Sequence, residues 1–145
     1  MKAPPKKTRH KLSVNDHNSD QYLGLASAEA DYKISIILNT ELGLKFKSST
    51  PVIITIDRKE TKFTRFTSES KYSETVFELI SNDSGREKLM SKIPSIDFIL
   101  RIKGMDSKDT LEQIINKIRR IKEITWVFKI DKDTQIENSV LHILP

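Results

Sequence analysis

The sequence predicts an α+β two-layer sandwich, a mainly antiparallel sheet with two helices packed on one face. Three observations predict it. Two segments each carry an apolar stripe at helical spacing. Several short segments are rich in β-branched and aromatic residues. Their order along the chain is strand, helix, several strands, helix, strand. Two helices with one stripe each suit packing on a single face of an antiparallel sheet.

Residues 1–20 are expected to form a disordered basic tail and residues 21–145 a single α+β domain. Pro4-Pro5, a basic cluster and the polar run Asn15-Asp16-His17-Asn18-Ser19-Asp20 offer little apolar surface to offset the entropy of ordering. A short strand is expected at Tyr22–Ala26. Ser27 is placed to cap a helix from about Ala28 to Leu42, with Ile34, Ile37, Leu38 and Leu42 on one face and Gly43 as its stop. Val52–Ile56 is a β-branched run and reads as a strand, and Asp57-Arg58-Lys59-Glu60 reads as a turn. Strands follow at about Thr61–Ser68 and Glu74–Ser81, joined around Ser70-Lys71-Tyr72-Ser73. Phe63 and Phe66 fall on opposite faces of a regular strand, so either a bulge intervenes or this strand is covered on both sides. Asn82-Asp83-Ser84-Gly85 is a turn signal.

The most regular strand pattern runs from about Ile96 to Lys103. Strict alternation places Ile96, Phe98, Leu100 and Ile102 on one face and Asp97, Ile99, Arg101 and Lys103 on the other. Ser107 then caps a helix at about Lys108–Glu123, whose stripe is Leu111, Ile114, Ile115, Ile118 and Ile121. Trp126, Phe128 and Ile130 alternate along a last central strand, which predicts core packing for Trp126. Val140–Leu144 is expected to add an edge strand. Helix, three strands and helix is also the element order of double-stranded-RNA-binding folds, an analogy of order alone.

The net charge of +5 is unevenly distributed. Lys2, Lys6, Lys7, Arg9 and Lys11 lie among the first eleven residues with no acid between them, and without these five the 25 basic residues fall to 20 against 20 acidic ones. No apolar run approaches the roughly 18 residues of a membrane-spanning helix, and the N-terminal region lacks the apolar stretch of a secretory signal. The absence of cysteine fits a reducing cytoplasm and excludes thiolate chemistry. His10, His17 and His142 make no metal-ligand pattern. No serine sits in Gly-x-Ser-x-Gly, and the four glycines, at 24, 43, 85 and 104, are too dispersed for a phosphate loop. These patterns imply no cofactor, no metal and no enzyme activity.

Asp97 is the one candidate for chemistry. An ionised carboxylate is costly to bury unpaired, and in an apolar strand its pKa can rise far enough for general-base work. The structural alternative is that Asp97 pairs with a cation or receives backbone N–H donors at a strand end. Arg101 shares its face, but four residues of strand separate the two by roughly 13 Å, so it is no direct partner. A cleft lined by Asp97, Asn39 and Tyr32 is the arrangement that would point to chemistry. Candidate polyanion contacts are Lys6, Lys7, Arg9 and Lys11 in the tail and Arg119 and Arg120 in the second helix. Their ordinary meaning is a solvated surface, and the tail has no aromatic residue to stack on bases.

Between about Tyr22 and Leu144 the chain resembles the IPExxxVDY family of uncharacterised bacterial proteins of Bacteroidota type. Ile96-Asp97-Phe98-Ile99-Leu100-Arg101-Ile102-Lys103-Gly104 is similar to that family's signature strand, with Ile96-Asp97-Phe98 at the Val-Asp-Tyr positions. Asp31-Tyr32-Lys33, Leu38-Asn39-Thr40-Glu41-Leu42-Gly43 and Leu79-Ile80-Ser81-Asn82 add to the likeness. The Ile-Pro-Glu positions instead hold Met90-Ser91-Lys92, with Ile93-Pro94 three residues late, so no role of that glutamate carries over. The resemblance implies kinship and no known activity. The functional expectation is a small cytoplasmic bacterial protein, non-enzymatic, acting as a protein–protein interaction or adaptor module. Nucleic-acid binding through the tail and the basic face of the second helix is the alternative, and neither reading involves a membrane.

Overall fold

The structure, a computed structural model, describes residues 20–69, 74–85, 87–91, 93, 95–105 and 107–130. Six strands, β1 (Gln21–Ala26), β2 (Lys47–Ile56), β3 (Lys59–Glu69), β4 (Val76–Ser81), β5 (Phe98–Lys103) and β6 (Trp126–Lys129), form one sheet in the order β2-β3-β4-β5-β1-β6. Every neighbouring pair is antiparallel. The helices are α1 (Asp31–Leu42), between β1 and β2, and α2 (Lys108–Arg119), between β5 and β6. This is the α+β arrangement the sequence predicts.

The order has a local cause. Strands β2, β3, β4 and β5 are successive neighbours, β2 and β3 through a tight hairpin and β4 and β5 through a longer irregular segment, while each helix lies in a crossover between strands that do not touch. Asp57 and Arg58, with φ of 50° and 67°, supply the handedness a two-residue hairpin between β2 and β3 requires. Gly43 ends α1 with φ 67° and donates its N–H to the Asn39 carbonyl. Ser107 caps α2 by accepting the Thr110 N–H.

The helix-covered face holds the larger core. Ile34 and Leu38 of α1 and Leu111, Ile115 and Ile118 of α2 bury their stripes on Leu23, Leu25, Leu79, Phe98, Leu100, Ile102 and Val127. The opposite face is also buried over much of its extent. Tyr22, Val52, Phe63, Ile80, Ile99 and Ile130 pack there with Leu89, Met90, Ile93 and Ile96 from the irregular segment between β4 and β5. Asn82 organises that segment. Its side chain donates to the carbonyls of Ile96 (3.0 Å) and Ile93 (3.4 Å) and accepts the Met90 N–H (2.6 Å).

Several elements differ from expectation. Helix α1 starts at Asp31 rather than near Ala28. Ser27 does not cap it, because its hydroxyl donates to the Glu123 carbonyl (2.7 Å) and accepts the Glu29 N–H (3.1 Å). Strand β2 begins at Lys47, and its bulge lies at Thr50-Pro51, where the register shifts between Ser49 and Val52. The bulge is thus in the neighbour of the strand where one was considered. Phe63 and Phe66 do occupy opposite faces, each packed in its own cluster, so β3 is covered on both sides. Helix α2 stops at Arg119 rather than Glu123. Strand β5 starts at Phe98, and Ile96 joins the cluster opposite Phe98 because the chain is not yet extended there. Strand β6 ends the described sheet order rather than lying centrally. The tail, the connection at 70–73 and the strand expected at Val140–Leu144 lie outside the described residues, apart from Asp20.

Candidate functional site

Asp97 lies immediately before β5, at the end of the sheet where β1 runs out. One carboxylate oxygen accepts the Ser27 N–H at 2.8 Å, its own N–H donates to the Leu25 carbonyl at 2.8 Å, and its carbonyl accepts the Asn82 N–H at 2.9 Å. One backbone donor at a strand end, the Ser27 N–H, therefore meets the Asp97 carboxylate. The Ser27 hydroxyl passes the connection on to Glu123, and the Thr125 N–H donates to the Ala26 carbonyl at 2.8 Å. Asp97 thus braces the β1–α1 junction, which in turn fixes the chain leading from α2 into β6.

The polypeptide fixed in this way carries Trp126. This residue, expected in the core, is 53% exposed. The correction follows from β6 being the last described strand: Val127 points to the helix-covered core, whereas Trp126 shares the other face with Phe128 beyond the reach of the covering segment. The two rings stack at a tilt, centroids 4.7 Å apart and planes at 34°. Phe128 is seated over Gly24, where a Cβ would come within 2.9 Å of both Phe128 and Ile96. Just before Trp126, Arg119, Arg120 and Lys122 are exposed and form no ion pair among the described residues.

Arg101 belongs to a different constellation. Its guanidinium reaches Glu78 (3.2 Å) and Asp20 (3.0 Å) and lies 5.7 Å from the Tyr22 ring centre. Glu78 also meets Arg65 at 3.4 Å, and Arg65 Nε donates to the Thr50 carbonyl at 2.7 Å. Register explains the assembly: Glu78 pairs with Arg101 and Arg101 with Tyr22, so one row across β4, β5 and β1 sets alternating polar groups side by side. Glu78 and Arg101 are 4% and 6% exposed. Burial raises the Tyr22 hydroxyl above its usual pKa, partly opposed by the Arg101 charge. This network was missed from sequence, although Glu78 within Val76-Phe77-Glu78-Leu79-Ile80 was a signal as visible as Asp97.

Asn39 does a third job. Its side-chain oxygen accepts the Phe46 N–H (2.6 Å) and its amide donates to the Phe46 carbonyl (3.4 Å), fastening the end of α1 to the start of β2. The sheet register puts Phe46 at the end opposite Asp97. Asp97, Asn39 and Arg101 are therefore not brought together. Recesses of about 390 and 290 Å³ open beside the β2–β3 turn and between α1 and α2, and none of these three residues lines either. Among the described residues, no three of His, Cys, Asp and Glu are placed to hold a metal ion, and no helix is long and apolar enough to cross a membrane. Lys6, Lys7, Arg9 and Lys11 lie outside the described residues.

Comparison with protein-family models and with curated proteins gave no match.

Proposed function

We propose that the protein is a non-enzymatic interaction module that binds another protein through the end of the sheet carrying Trp126. The exposure of Trp126 carries this reading. A large, exposed aromatic ring packed against Phe128 is the type of side chain on which interface energy concentrates. It is supported by the tasks of the polar candidates: Asp97, Asn39 and Arg101 each hold the fold together. A cytoplasmic location and kinship with the IPExxxVDY family belong to the same proposal, on the cysteine-free composition and on Ile96–Gly104. The test is a photo-crosslinking amino acid at position 126 in the full chain, made in its cells of origin. The expected result is a discrete protein adduct absent when the crosslinker sits at exposed Glu41. Equal labelling from both positions would end the reading.

A second reading, nucleic-acid binding, is favoured by the exposed cations Arg119, Arg120 and Lys122 preceding an aromatic residue. A body otherwise balanced in charge argues for the protein partner.

A further inference from the structure

We propose that Trp126 and the turn from α2 into β6 form a docking site for an acidic peptide segment of a partner protein, with an apolar side chain of that segment on the indole and its carboxylates on Arg119, Arg120 and Lys122. The inference rests on the adaptor reading and names the partner chemistry of the same site.

Charge complementarity selects the occupant. Between Lys117 and Trp126 the chain carries four cations and one acid, Glu123. Arg119, Arg120 and Lys122 are exposed and form no ion pair among the described residues, although Arg119 is near enough to help hold the Glu112 carboxyl below its usual pKa, after the larger effect of Lys129. Glu123 is half-buried, its carbonyl engaged by Ser27. The turn is preorganised. Ile121 N–H bonds the Ile118 carbonyl, Ile124 N–H the Ile121 carbonyl, and Thr125 N–H the Ala26 carbonyl. Buried Ile118, Ile121 and Ile124 anchor the same stretch from below. The backbone that carries the cations and the ring is thereby held before a partner arrives, which lowers the ordering cost of association. Arginine suits the task because its planar fork engages a carboxylate through two parallel hydrogen bonds.

The test uses the full chain as bait for a displayed library of random peptides, beside W126A and R119E/R120E baits. All three positions are exposed, and unchanged denaturation midpoints verify that the variants fold. The expected peptides combine several carboxylates with an aromatic or aliphatic residue. A synthetic copy should shift the emission of Trp126, the only tryptophan and hence a reporter of this site. In anisotropy each variant should bind it roughly tenfold or more weakly, about 1.4 kcal/mol, and W126F should recover part of the loss. Peptides that enrich equally on all three baits would overturn the site while leaving the adaptor reading intact. Enriched peptides without acids, or no enrichment, would overturn the acidic partner. Labelled oligo(dT) that binds the wild type and is lost in both variants would overturn both readings in favour of nucleic acid.

Discussion

Asp97 accepts the backbone N–H of Ser27 at 2.8 Å, across a sequence separation of 70 residues. Because the Ser27 hydroxyl goes on to the Glu123 carbonyl, one carboxylate joins the end of β1, the start of β5 and the approach to β6. Asp97→Ala should lower stability by about 1–2 kcal/mol, since it strands a partly buried donor. Asp97→Asn keeps an acceptor and should lose less. Ser27→Ala keeps the backbone N–H that Asp97 accepts and removes only the hydroxyl link to Glu123, so the Asp97→Ala loss measured by urea denaturation should persist in the Ser27→Ala background; its disappearance there would contradict a backbone donor for Asp97.

The Arg101 network makes a larger prediction. Arg101→Leu leaves the buried carboxylates of Glu78 and Asp20 without that guanidinium, and loss of one partner of a buried ion pair costs about 3–5 kcal/mol. Arg101→Lys keeps the charge but cannot present two donors in a fork, so an intermediate loss is expected. Chemical denaturation of both variants checks the order, and equal losses would contradict it.

Tyr22 gives stability a dependence on alkaline pH. Burial raises its folded-state pKa above the unfolded value of 10.0, so the unfolded chain releases the proton first. The contribution is complete below about pH 10 and is lost as pH rises through the raised folded value. Tyr22→Phe should flatten the midpoint-versus-pH curve above about pH 10 relative to wild type. Parallel curves would exclude a Tyr22 origin.

Gly24 is under steric control by its neighbours. Gly24→Ala places a methyl 2.9 Å from Ile96 Cγ2 and from Phe128 Cζ, and overpacking of this kind costs about 1–3 kcal/mol. Leucine has no Cζ, so Phe128→Leu should relieve part of that cost. The double variant should then be more stable than the sum of the single losses implies, as thermal or urea unfolding can show.

Much of the architecture was legible because it rests on local periodicity. The Leu111–Ile121 stripe and the Ser107 cap specified α2, and the Phe98–Ile102 alternation specified β5. What escaped depended on position in the sheet. Alternation gives the face of Trp126 but not that β6 ends the described order, and exposure is decided by the latter. The segment that covers the second face escaped because Leu89, Met90, Ile93 and Ile96 have no regular period; they come together through Asn82, whose sequence context reads only as a turn. Asp97 stood out in the sequence as an acid within an apolar run. That the donor would be Ser27 follows from the pairing of β1 with β5, a relationship between distant segments.

The displaced register at Thr50-Pro51 bears on self-association. Strand β2 has ten residues, ends the described sheet and exposes Ile53, all of which invite a second molecule to add a strand. Proline offers no N–H to such a newcomer, and the extra residue breaks the even spacing of the groups around it. Arg65 holds this interruption in place by bonding the Thr50 carbonyl while anchored to Glu78. The ion network inside the sheet thus also guards its rim against edge-to-edge aggregation.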